Sequence, residues 1–130
     1  QDGEDDVLVP AGIVWMQGES DAALDEATAR RYEASLKRLV DLVRAALRTD
    51  DLPVVVGRIS DSGKDQDGKV WDFGEIVRTA QADFAAEDSC AALVTTTDTY
   101  QYSDTWHYDT AGYLDLGRQF AEALVKLQQP

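Results

Sequence analysis

The chain has one histidine, His107, and Asp104 stands three residues before it. That spacing lets the carboxylate fold back onto the imidazole Nδ1–H, which fixes the tautomer and leaves Nε2 free as a general base. A solvated histidine with a chance acidic neighbour is spelled the same way, so the position of the pair in the fold carries the argument. A second polar set, Gln17, Glu19 and Asp21, follows a short apolar run. Gln17 and Glu19 suit either a reaction site or a strand-end cap that bonds a neighbouring loop. Arg58 can offer its guanidinium to a substrate or to a surface carboxylate. Trp106 can form a stacking wall for a ligand or simply pack its own loop.

The elements that must position these residues alternate strand, helix, strand, helix, strand, helix. Residues 12–16 are apolar and end in Gln17-Gly18, as expected of a buried parallel strand. From about 25 to 48 the apolar residues Tyr32, Leu36, Leu39, Val40, Val43 and Leu47 form one helical stripe. Residues 52–59 read as a second buried strand, 61–69 as an exposed polar loop, and about 72–87 as a helix with Ile76, Val77, Ala80 and Phe84 inward. Trp71 and Phe73 are expected to pin its start. Residues 91–96 read as a third strand, and Cys90, just before them, as a core thiol. After a loop over 98–109, a last helix begins near Thr110, capped by Asp109 or Thr110, with Leu116, Phe120, Leu124 and Leu127 on its apolar side. The fold class is therefore α/β, a parallel sheet flanked by helices in three layers, with about three strand–helix units. Three strands buried on both faces leave an open edge, so further strands are expected upstream of residue 1. In open parallel sheets ligands sit beyond the carboxyl ends of the strands. Gln17–Asp21, Ser60-Asp61 and the Asp104–His107 loop all follow strands and share that rim.

Charge narrows the partners. Asp and Glu number 25 against 12 Lys and Arg, a net charge of -13. Nucleic acid and anionic membranes need the reverse balance. No stretch is long and apolar enough to span a bilayer. Residues 1–6 are acidic, unlike a signal peptide, and the chain does not open on methionine. One cysteine permits no intrachain disulfide. Asp61, Asp65 and Asp67 hint at calcium, but aligning Asp65, Asp67 and Gly68 with an EF-hand loop puts Gly63 and Gly74 at essential ligand positions. One histidine and one cysteine are too few for a structural zinc site. No metal and no cofactor are expected.

The segment Trp15-Met16-Gln17-Gly18-Glu19-Ser20-Asp21 resembles the Trp-x-Gln-Gly-Glu-x-Asp block of the sialate O-acetylesterase-like and carbohydrate esterase family six enzymes, within the SGNH hydrolase superfamily. The stretch from Asp104 through His107 and Gly112 to Gly117 is similar to their last block, where Asp-x-x-His leads into a helix with a Leu-Gly step. The two blocks occur in family order, with a strand–helix–strand unit between them. The resemblance implies an SGNH-like fold and serine-type removal of acetyl groups from sugar hydroxyls. His107 would be the base, Asp104 its orienting acid, and Glu19 a second candidate for that acid. Gln17 would donate its amide to the oxyanion hole. It implies no cofactor, an acetylated carbohydrate as partner and, by analogy alone, an extracytoplasmic or secreted setting.

The sequence departs from the family in one respect. The Gly-Gln-Ser-Asn block that carries the family's serine does not occur, nor can a second oxyanion donor be placed. Ser20, Ser60, Ser62 and Ser103 lie outside the family context, although Ser60 does follow a strand. Residues 1–130 therefore read as the C-terminal portion of one esterase domain, inactive alone, with the serine upstream. Two alternatives stay open: a non-catalytic glycan-binding module on a degenerate esterase fold, and one half of a domain whose N-terminal segment is a separate chain.

Overall fold

The computed structural model describes residues 7–129; the acidic stretch 1–6 lies outside them. Three parallel strands, β1 (Ile13–Met16), β2 (Val54–Gly57) and β3 (Ala91–Val94), pair in chain order, β2 at the centre. Around them are α1 (Glu19–Leu24), α2 (Glu26–Leu47), α3 (Gly74–Glu87) and α4 (Thr110–Leu127). The architecture is the expected three-layer α/β sandwich, with α1, α2 and α3 on one face of the sheet and α4 on the other.

Alternation of side chains along a strand builds two cores. Val54 and Val56 point to the α2–α3 side and meet Leu36, Val40, Val77 and Phe84. Val55 points the other way, toward Leu116 and Phe120 of α4. All three valines are fully buried, each worth about 2 kcal/mol over exposure. Helix α2 keeps its expected apolar stripe through Tyr32, Leu36 and Val40, but Leu47 is exposed at its end. Asp25 caps α2 by accepting from the Thr28 N–H at 2.7 Å, and Asp109 caps α4 by accepting from the Gly112 N–H at 2.7 Å.

Several boundaries differ from expectation. The second strand is shorter than 52–59: at its start Pro53 has no N–H to give the ladder, although its carbonyl accepts from Ile13 N–H at 2.7 Å, and at its end the Ile59 N–H turns to Gln81 Oε1 at 3.0 Å. Leu52 and Ile59, beyond its ends, are nonetheless fully buried. The third helix starts at Gly74, after a turn in which the Gly74 N–H bonds the Trp71 carbonyl; Trp71 and Phe73 do pack against the core there. Helix α1 was not expected. It is a separate six-residue piece, divided from α2 by Asp25, whose extended backbone breaks the helical ladder. A 3-10 turn, Thr96–Thr99, follows β3. Cys90 is half-buried in the turn before β3, not in the core: the turn carries it ahead of the first strand residue.

Burial on both faces holds for β2 only. Val14 of β1, on the α4 side of the sheet, is 51% exposed. The reason is that α4 packs over β2 and β3; on the β1 side, Met16 at the strand's end packs against the α4 cluster and Leu124 meets Gly12 just before its start, leaving Val14 between them uncovered. Along α4, Leu114, Gly117, Ala121 and Val125 recur at helical spacing and are all exposed. The opposite flank of α4, with Gln119, Glu122 and Lys126, overlooks β3. Thus the outer edge of β1 and the space above it are uncovered among the described residues. No helix is long and apolar enough to cross a membrane among them.

Candidate active site

The chain leaving β3 makes the 3-10 turn and then a small hairpin. Tyr102 and Tyr108 face each other in an antiparallel bridge, and the Ser103 N–H donates to the His107 carbonyl at 2.9 Å. Asp104 and His107 occupy the tip. Asp104 Oδ1 accepts the backbone N–H of Trp106 and of His107, each at 2.7 Å, while Oδ2 lies 2.7 Å from His107 Nδ1. The imidazole and these two backbone N–H groups hold the Asp104 carboxyl at about 2, well below its ordinary value. Because Nδ1 faces a carboxylate, it carries the proton, and Nε2 is the basic nitrogen. The His107 side chain is 62% exposed, open to an incoming group. Trp106 beside it is 60% exposed.

The hairpin is anchored to the loop after β2. Ser60 is 8% exposed and its hydroxyl bonds the hydroxyls of Tyr102 at 2.7 Å and Tyr108 at 2.9 Å. Burial pushes the proton affinity of both phenols up, so they stay neutral. Ser62 Oγ donates to the Thr105 carbonyl at 2.7 Å. Lys64 Nζ donates to the carbonyls of Tyr102 at 3.1 Å and Asp104 at 3.2 Å. The loop expected to be exposed is exposed over most of its length, and its start is docked on the hairpin through Ser62 and Lys64. Beyond it, Asp61 organises the turn by accepting from the N–H groups of Gly63, Val70 and Trp71.

The first block lies at the end of β1. Gln17 Nε2 donates to Asp21 Oδ2 at 2.7 Å. The Gln17 carbonyl accepts from Tyr32 Oη at 2.7 Å and from Gln81 Nε2 at 2.9 Å. Gln81 is fully buried, and its Oε1 accepts the Ile59 N–H at 3.0 Å. It ties the end of β1 to the end of β2 where the ladder stops. Sequence reading missed this residue; the signal was a glutamine among Val77, Ala80 and Phe84 on an apolar helix face. Gly18 has φ +142, and a Cβ there would lie 2.8 Å from Val77 Cγ1, so only glycine lets the block turn into α1. Glu19 opens α1 and is half-buried. Its charge is felt by the Tyr102 and Tyr108 phenols, but no hydrogen bond joins it to His107 among the described residues.

Arg58 pairs with Asp98, which also accepts from Arg78 at 3.0 Å. Burial works against the Asp98 carboxylate, but the two arginines outweigh it and lower its pKa. Arg58 is thus engaged in an internal ion pair. Of the four candidate serines, Ser60 is locked between two tyrosines, Ser62 and Ser103 donate to hairpin carbonyls, and Ser20 makes no hydrogen bond to His107 among the described residues.

Residues 4–126 match the family described as "Carbohydrate esterase, sialic acid-specific acetylesterase". The chain belongs to this family. Among solved structures, this esterase-family chain is similar to a protein from Arabidopsis thaliana, at 26% identity and a TM-score of 0.73. The match covers 89% of this chain and 44% of that one, so the chain spans less than half the length of its solved relative. None of the curated proteins matches it.

Proposed function

We propose that the complete protein removes O-acetyl groups from carbohydrates, sugars such as sialate or a polysaccharide such as xylan. A serine outside these 130 residues would be the nucleophile and His107 the base. The observation that carries this reading is the Asp104–His107 pair, 2.7 Å apart, on the carboxyl rim of the sheet in a chain of the acetylesterase family.

In this reading the serine hydroxyl gives its proton to His107 Nε2 as its oxygen attacks the acetyl carbonyl carbon. The tetrahedral intermediate collapses, His107 protonates the departing sugar oxygen, and the acetyl group stays on the serine. Water, activated by the same Nε2, then releases acetate. Asp104 holds the ring and stabilises the imidazolium. Glu19, the other candidate acid, has no place on Nδ1 while Asp104 occupies it. The Gln17 amide has two N–H groups, and Asp21 takes one; the other serves the developing oxyanion. Trp106 gives the sugar a flat apolar wall.

The uncovered edge of β1, with Val14 above it and the exposed line from Leu114 to Val125 on α4, suits one further strand and helix. A parallel strand there would end on the same rim, bringing its serine beside Gln17 and across from His107. That the match covers 44% of the Arabidopsis protein supports such a segment, whether continuous with this chain or separate from it. The test is hydrolysis of an acetylated sugar by the complete protein and by its His107→Ala variant. Equal rates would reject His107 as the base. Glycan binding without hydrolysis in the complete protein would favour the binding-module reading.

A further inference from the structure

We propose that Ser60, Ser62 and Lys64 form a positioning clasp that sets the Asp104–His107 hairpin against the sheet and thereby governs turnover rather than substrate affinity. The inference rests on the reading of His107 as the base. Ser60, Ser62 and Lys64 lie on one loop, which turns at Gly63 (φ +65). All three reach the same target. Ser60 bonds the two tyrosine hydroxyls at the foot of the hairpin, Ser62 bonds the carbonyl of Thr105 at its tip, and Lys64 bonds the carbonyls of Tyr102 and Asp104. The clasp starts three residues after β2, the strand buried along its whole length. It therefore couples an exposed catalytic tip to the most enclosed element of the sheet.

The asymmetry of burial separates positioning from folding. Ser60 is buried, but Lys64 is exposed and Ser62 only half-buried. Exposed hydrogen bonds of this kind contribute little to global stability. They do fix where Nε2 stands, and a displacement of about 1 Å at a reacting group costs up to about 10²-fold in rate.

The test uses the complete protein with an acetylated sugar as substrate. Lys64→Met and Ser62→Ala are each expected to lower kcat about tenfold, with KM within about twofold and the melting temperature unchanged. Lys64→Arg, which keeps donors for both carbonyls, is expected to recover most of the loss. The Nδ1–H proton resonance of His107 should broaden in the first two variants and sharpen again in the third. Unchanged kcat in Lys64→Met and Ser62→Ala overturns the clasp while leaving His107 as the base. A loss of kcat that tracks a loss of melting temperature also overturns it, because the role is then structural. Full activity in His107→Ala removes the reading on which the clasp depends, and the clasp with it.

Discussion

Asp104 grips His107 at two points: one carboxylate oxygen takes its backbone N–H at 2.7 Å, and the other lies 2.7 Å from its ring Nδ1. Backbone and ring are thus set by the same side chain, and the ring has little freedom to turn away. This is a local device, complete within one hairpin tip.

His107→Ala in the complete protein is expected to lower kcat for acetyl ester hydrolysis by about 10³-fold or more, and Asp104→Asn by a smaller factor. Steady-state rates on a chromogenic acetyl ester check this. Activity in Asp104→Asn equal to that of the unmodified protein would move the acid role to Glu19.

The Asp104 carboxyl is held at about 2, below the ordinary value of about 3.9. A carboxyl lowered in this way contributes stability that is fully present above the ordinary value and is lost as pH falls through about 2. The hairpin should therefore keep its hydrogen bonds at pH 3 and release them as pH 2 is approached. Side-chain carboxyl NMR across that range reads the transition directly. A midpoint near 4 would show that the imidazole and backbone contacts are not maintained in solution.

Ser60→Ala takes a partner from the buried Tyr108 hydroxyl and the half-buried Tyr102 hydroxyl and is expected to cost about 1–3 kcal/mol of stability. Hydrolysis should fall but stay well above the His107→Ala level, since Ser60 is bonded to Tyr102 and Tyr108 rather than to His107. Denaturant melts and rates together distinguish this from a nucleophilic serine, whose loss abolishes turnover in a stable protein.

Gly18→Ala forces a side chain into the left-handed region and against Val77. A cost of about 1–3 kcal/mol follows, with Gln17 shifted from its place. A thermal melt unchanged from the unmodified protein would contradict the backbone geometry at this turn.

Arg44 reaches Asp88 at 2.6 Å and also donates to the Leu52 carbonyl at 3.1 and 3.0 Å, with 9% of its side chain exposed. Arg44→Ala leaves a carboxylate and a carbonyl unpaired, and unfolding free energy should drop by about 3 kcal/mol. Urea denaturation of the two proteins measures it.

The sequence by itself determined what is local. Continuous apolar runs placed the three strands and helical spacing placed the long helices, because a buried strand and a helix buried on one side each leave that signature along the chain. The Asp104–His107 contact was legible for the same reason: three residues on a turn can close only a short distance. The short helix α1 was not, since six residues carry too little periodicity and only the break at Asp25 defines it. What the tertiary structure decided is which distant groups meet. Arg58 turned to Asp98, 40 residues away, Ser60 was enclosed by Tyr102 and Tyr108, and buried Gln81 joined the ends of β1 and β2. Such contacts depend on how helices seat strands side by side, and no spacing along the chain encodes that directly. Glu19 stands at the end of β1 and His107 beyond β3, two positions whose separation is likewise fixed only once the sheet has assembled.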